Sequence, residues 1–155
     1  MSRIQLALNV DDLESAIAFY GTLFNTVPAK VKPGYANFVV DEPALKLVLI
    51  ENRGRGGSLN HLGVEVDSSE TVHAEIARLS GAGLFTDEQI DTTCCFATQD
   101  KVWVTAPDGE AWEVYAVLGD ADEFGESPQA LSGASGRDEK PTPGAQATCC
   151  SPAVG

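Results

Sequence analysis

The chain has 155 residues, 43% of them apolar, and a formal charge of −13, which suits one globular domain or two small modules sharing a core. A surface this acidic argues against nucleic acid and anionic membrane as partners, since both repel it. No apolar run approaches the roughly 20 residues of a membrane-spanning helix, and the start MSRIQLALNV lacks the charged, apolar and small-residue regions of a secretory leader, so a cytoplasmic location is expected.

In chain order, IQLALNVDD predicts a strand with Leu6, Leu8 and Val10 on one face and Gln5, Ala7 and Asn9 on the other. DDLESAIAFYGTLF predicts a helix whose apolar stripe is Leu13, Ile17, Tyr20 and Phe24, with its acidic start at the positive end of the helix dipole. Strands are expected over 28–32, 35–40 and 45–51. NHLGVEVDS then repeats the first strand 56 residues on, setting His61 opposite Gln5 and Asp67 opposite Asp11. Its Leu62, Val64 and Val66 share one face, and His61, Gly63 and Glu65 the other. The helix that follows, SSETVHAEIARLSGAG, carries Val72, Ile76 and Leu79 on one stripe, a cap at Ser68 or Ser69 and a stop at Gly81 or Gly83. Its His73 reads as a surface or packing residue. Further strands are expected over 84–91, 94–106 (broken or bent) and 110–117, with a PDG turn at 107–109.

The unit β-α-β-β-β is therefore written twice, an α+β architecture with module one about residues 2–52 and module two about 58–118. Residues 119–155 are rich in Gly, Pro, Ser and Ala without periodicity and read as a disordered tail.

The cysteines come as two adjacent pairs, Cys94–Cys95 and Cys149–Cys150. A secreted scaffold spreads its cysteines through the fold, so reduced thiols are expected here. Soft thiolates suit soft metals or metalloids; the plain alternative is a small buried hydrophobe. Neighbours in a regular strand point to opposite faces. Two-thiolate binding therefore needs a bulge or loop, and residues 92–100 are expected to form a mobile loop that swings a ligand inward.

Two βαβββ units resemble the vicinal oxygen chelate superfamily, which includes glyoxalase I, extradiol dioxygenases, and fosfomycin- and bleomycin-resistance proteins. The resemblance implies a cup of two curved modules with metal ligands on the first and last strands of each. The matching positions are Gln5, His61 and Glu113. Aligning ALKLVLIE with EAWEVYAV sets Leu47 at the fourth position, where it cannot ligate. Three ligands leave open positions, as in the facial triad of non-haem Fe(II) oxygenases, with the neutral amide of Gln5 in place of one His; zinc also fits these ligand types. Taken singly, Gln5 reads equally as a paired strand amide and His61 as a satisfied core histidine. Glu113, between Trp112 and Val114, is costly unless partnered.

LALNVDDLESAIAFYGTLF, AKVKPGYANFVVDEPALKLVLIEN, LNHLGVEV and TTCCFATQDKVWVTAPDGEAWEVY resemble the bacterial C–As lyases and relatives named cadmium-induced proteins. The resemblance implies a dioxygenase that uses Fe(II) and O₂ to cleave the carbon–arsenic bond of trivalent organoarsenicals, methylarsonous acid or aromatic As(III) compounds, to give arsenite. Gln5, His61 and Glu113 would hold the iron, and Cys94 and Cys95 the arsenic. Lys101 is a candidate to steer an anionic intermediate, against a solvated lysine. Cys149 and Cys150 are candidate accessory thiols. A monomer or homodimer is expected. The competing readings are thiol-based sequestration of cadmium or a metalloid, and another superfamily enzyme such as an extradiol dioxygenase or a glyoxalase.

Overall fold

The computed structural model describes residues 1–122. Most of the expected tail, Cys149 and Cys150 included, lies outside the described residues. Strand β1 (Arg3–Val10), helix α1 (Leu13–Phe24) and strands β2 (Lys30–Lys32), β3 (Tyr35–Val40) and β4 (Leu45–Glu51) form the first βαβββ unit. Strand β5 (Leu59–Glu65), helix α2 (Ser69–Gly81) and strands β6 (Asp87–Cys94), β7 (Ala97–Thr105) and β8 (Ala111–Asp120) form the second.

The helices start and stop where local chemistry dictates. Asp12, in extended backbone, accepts from the Ser15 amide at 2.7 Å, and Asn25 closes α1 in the left-handed region. Ser68 rather than Ser69 caps α2, accepting from Thr71 N at 3.3 Å. The stripe Leu13, Ile17, Tyr20 and Phe24 packs on Phe38, Leu47 and Leu49 of the sheet, and Val72 and Ile76 pack on Val66 and Ala116. Both helices thus cover one sheet face, leaving the other to line a cup.

All eight strands form one mixed sheet in the order β2-β3-β4-β1-β5-β8-β7-β6. Its centre is the antiparallel pair β1–β5, where Gln5 faces Gly63 and Ala7 faces His61. A two-fold relation exchanges these two pairs, so Gln5 is the structural equivalent of His61 and Ala7 of Gly63. The repeat seen in the sequence is therefore the register of the central strands. On the flanks, β4 runs parallel to β1 with Val48 beside Ala7, and β8 runs parallel to β5 with Glu113 beside Gly63.

Val48, not Leu47, is thus the equivalent of Glu113. Leu47 belongs with Leu45 and Leu49 in the helix-side core. A one-residue slip in aligning two strands moves every side chain to the other face, which corrects the expected fourth position. Its conclusion that this position cannot ligate still holds, because Val48 is equally apolar.

The segment expected to be a mobile loop over 92–100, and a broken strand over 94–106, is instead a tight β-hairpin. β6 ends at Cys94, β7 starts at Ala97, and Cys95 and Phe96 make the turn with φ of 54° and 61°. Positive φ at both central residues is the twist that a two-residue hairpin requires, usually supplied by Asn-Gly. Cys and Phe adopt it against their own preference, at a cost of order 1–3 kcal/mol each. Contacts from the far end of the sheet hold the turn. The Phe96 ring lies 5.5 Å from the Tyr35 ring, and Lys30 Nζ donates to Phe96 O at 3.0 Å. Lys30 also pairs with Asp120. These contacts join opposite ends of the strand order, so the sheet curls until its ends meet.

Candidate metal and metalloid site

The cup is built from one row of side chains across the sheet: Lys46, Gln5, Gly63, Glu113 and Trp103 follow one another on β4, β1, β5, β8 and β7. His61 stands one pair away from that row, on the same face. Gly63 makes the convergence sterically allowed. A Cβ there would lie 3.0 Å from Glu113 Cγ, 3.2 Å from Glu113 O and 3.3 Å from Gln5 Cβ, so any other residue would push β1 and β8 apart.

The three polar residues singled out in the sequence meet. Gln5 Nε2 lies 3.1 Å from His61 Nε2 and donates to Glu113 Oε1 at 2.6 Å. His61 Nε2 and Glu113 Oε1 are 3.3 Å apart. All three residues are at most 4% exposed. His61 Nδ1 faces Asn60 Oδ1 at 2.7 Å, while Asn60 Nδ2 donates to Asn9 Oδ1 at 3.0 Å. Asn60 is thereby fixed with its oxygen toward the ring, so Nδ1 carries the proton and Nε2 presents its lone pair to the cluster. Glu113 is ionised. Burial, the largest single influence, opposes its charge, but the Lys101 ammonium, 2.9 Å from Oε2, and His61 together outweigh it and hold the carboxyl far below the usual range.

The donor set fits a divalent cation. An imidazole lone pair and a carboxylate oxygen converge, and the hydrogens of one amide group occupy the space between them. Among the described residues no three His, Cys, Asp or Glu cluster to hold a metal; the further polar group that meets His61 and Glu113 is the Gln5 amide, whose oxygen is of a type that can ligate. That oxygen now accepts from the Tyr115 hydroxyl, which also contacts Glu65 Oε2 at 3.0 Å. Burial, with the Glu113 and Glu65 charges, keeps Tyr115 protonated well above the usual range.

Beside this cluster lies a cavity of about 130 Å³ lined by Gln5, His61 and Glu113 and, on another wall, by Cys95 and Gln99. The hairpin turn brings the Cys94 and Cys95 sulfurs within 3.1 Å of each other. Cys94 is buried among Ala7, Tyr35, Val48, Ile50 and Phe96 on the concave face, and Cys95 packs against that group. The turn thus solves the problem posed by strand alternation: left-handed backbone at Cys95 rotates its side chain toward that of Cys94. No cysteine among the described residues is free.

Lys101 is neither solvated nor on the cavity wall. It is 1% exposed, ion-paired to Glu113 and set over the Trp103 ring at 5.5 Å. It stands behind the carboxylate and not on the wall where the sequence reading expected it to steer an intermediate. His73, on α2, is exposed, its Nε2 3.9 Å from Asp100 Oδ2, and does not line the cavity. Asn60, Tyr115, Lys46 and Gln99 were missed from sequence. The only hint was periodicity, since Asn60 sits next to His61 and Tyr115 shares its strand with Glu113.

The fold and the site together define a class: the chain belongs to the glyoxalase/bleomycin resistance protein/dioxygenase superfamily, whose family model matches residues 3–114. The chain is 71% identical over 129 residues to cadmium-induced protein CadI of Mycobacterium tuberculosis, covering 83% of this chain and 85% of that protein. It is 62% identical over 123 residues to a trivalent organoarsenical cleaving enzyme of Thermomonospora curvata, covering 79% and 82%. The fold is shared with a Mn(II)-bound glyoxalase from Novosphingobium aromaticivorans, with a TM-score of 0.55 at 19% identity over 78% of this chain and 42% of that one.

Proposed function

We propose that the protein is an Fe(II)- and O₂-dependent enzyme that cleaves the C–As bond of trivalent organoarsenicals such as methylarsonous acid and aromatic As(III) compounds, releasing arsenite. One observation carries the reading: Cys95, its sulfur 3.1 Å from that of Cys94, lines the same cavity as Gln5, His61 and Glu113. A trivalent arsenic bearing one organic group has two exchangeable positions, and two adjacent thiolates fill both. Pentavalent arsenic lacks that preference for soft ligands, so the pair selects the trivalent form.

The residues divide the work. His61, Glu113 and the Gln5 oxygen would hold the iron, and Lys101 and Asn60 fix the carboxylate and the imidazole. Iron supplies the activation of dioxygen. Cys94 and Cys95 bind and orient the substrate, turning an encounter into a held geometry, and the apolar wall of Val48 and Ala97 takes the organic group. The strained turn keeps Cys95 at the cavity, with the Cys94 sulfur 3.1 Å behind it, without a swinging loop.

Similarity to a cadmium-induced protein favours a second reading, in which the thiol pair sequesters a soft cation. The two readings separate in one experiment. The protein is reduced, loaded anaerobically with Fe(II), given methylarsonous acid and exposed to air. Catalysis predicts multiple turnovers of arsenite with matching O₂ uptake. Stoichiometric binding without O₂ uptake would refute catalysis and leave sequestration. In the enzymatic reading, Cys94→Ser loses arsenical binding while Fe(II) binding persists.

A further inference from the structure

Gln5 is an unusual third donor, because an amide offers a ligand at one end and two hydrogens at the other. As folded, the wrong end faces the cluster: Nε2 points at His61 Nε2 and Glu113 Oε1, and Oε1 points at Tyr115. Half a turn of the amide exchanges the two ends within the same space.

Counting protons around Tyr115 shows what favours that turn. The hydroxyl has one proton but touches two acceptors, Gln5 Oε1 and Glu65 Oε2. One of these contacts therefore has no hydrogen in it. After the half turn, Gln5 Nε2 donates to the hydroxyl oxygen and the hydroxyl donates to Glu65, so each contact carries one proton. The Glu65 carboxylate is held as an acceptor by Lys46 Nζ at 2.6 Å and Arg3 Nε at 3.4 Å. What opposes the turn in the metal-free protein is the pair of hydrogen bonds from Nε2 to His61 and Glu113. A divalent cation replaces those hydrogens as the partner of both groups.

We infer that Tyr115 and Glu65 form an orientation device for Gln5: a buried hydroxyl, pinned by a carboxylate, receives the amide hydrogens so that the amide oxygen can ligate. The inference rests on the reading of Gln5, His61 and Glu113 as metal ligands, and it makes Tyr115 a positioning residue. Lys46 and Arg3 act one step further out, keeping Glu65 an acceptor.

The test is anaerobic titration of the full chain with Mn(II), read by calorimetry, on the wild type, Tyr115→Phe, Gln5→Glu and the double variant. Tyr115→Phe keeps the ring and its packing, and should weaken Mn(II) binding about 10–100-fold, the usual effect of losing an outer-shell partner. A carboxylate presents oxygen in either orientation, so Gln5→Glu needs no such device. Adding Tyr115→Phe to Gln5→Glu should therefore change affinity less than twofold, which a merely structural role for Tyr115 would not produce. Wild-type affinity in Tyr115→Phe, or equal losses in both backgrounds, overturns the inference. If the wild type takes up neither Mn(II) nor Fe(II), the metal reading itself falls and this inference falls with it. A second measurement needs no variant: on loading with diamagnetic Zn(II), nuclear Overhauser contacts of the Gln5 side-chain amide should move from His61 to the Tyr115 ring. Amide protons that stay beside His61 in the loaded protein overturn the inference.

Discussion

At the scale of single residues, the site is a set of buried polar groups that are tolerable only together. Glu113 is 3% exposed and Lys101 is 1% exposed. Removing one partner of such a pair leaves an uncompensated charge in the interior. Lys101→Met should therefore cost roughly 3–5 kcal/mol in urea unfolding, and adding Glu113→Gln should recover much of it. A loss below 1 kcal/mol would mean that the ion pair is not what holds the carboxylate. Asn60 acts on the imidazole in the same way. Asn60→Leu removes the acceptor of Nδ1–H and frees the ring to change tautomer, so Mn(II) affinity should fall about tenfold or more, as calorimetry can show.

Tyr35 gives the pH dependence. Burial pushes its hydroxyl from 10.0 up to about 12, with the Glu113 and Glu65 charges adding to the shift and the hydrogen bond with Asn37 opposing it. A raised folded-state value means that the native state holds the proton more tightly. Stability from this group is complete below pH 10 and is lost as the pH rises toward 12. The loss amounts to about 2–3 kcal/mol. Tyr35→Phe should lose less stability than the wild type between pH 9 and 11, and parallel curves would count against this assignment.

At the scale of elements, the β6–β7 hairpin carries the most information. Its turn places Cys95 and Phe96 in left-handed backbone, and such strain persists only where surrounding structure over-determines it. Asn tolerates this region better than Cys. Under reducing conditions, Cys95→Asn should raise stability by up to about 1 kcal/mol while abolishing binding of methylarsonous acid. Lower stability would show that the turn is not strained at this residue. The central strands contribute steric permission: Gly63→Ala forces a Cβ to within 3.0 Å of Glu113 Cγ. Overpacking of this kind costs about 1–3 kcal/mol, and here it should also weaken metal binding, because β1 and β8 carry two of the three proposed donors. The Leu47 assignment failed at this scale. Both β4 and β8 are rich in apolar residues on both faces, so hydrophobicity alone could not say which residue of β4 matched Glu113.

For the whole molecule, the decisive feature is closure of one sheet on itself. The ends of the strand order meet through Lys30, Tyr35 and Phe96, which carries Cys95 from the sheet edge to the cavity built on the central strands. Lys30→Met should loosen that closure. Amide hydrogen exchange should then quicken at the β6–β7 turn and leave the β1–β5 pair unchanged, because only the edge contact is lost.

The sequence alone determined the repeat, the helices with their caps, the families it resembles, and three of the residues that meet in the cup. All of these rest on local periodicity or on spacing within a repeat, and both survive in a linear string. Tertiary structure alone decided which face of β4 looks into the cup, that the thiol segment is a strained turn, and that Lys101 stands behind Glu113. It also decided that Tyr115 reaches Gln5 across 110 positions of chain. Those outcomes depend on strand register and on the curl of the sheet, which follow from the sum of many weak contacts between distant segments.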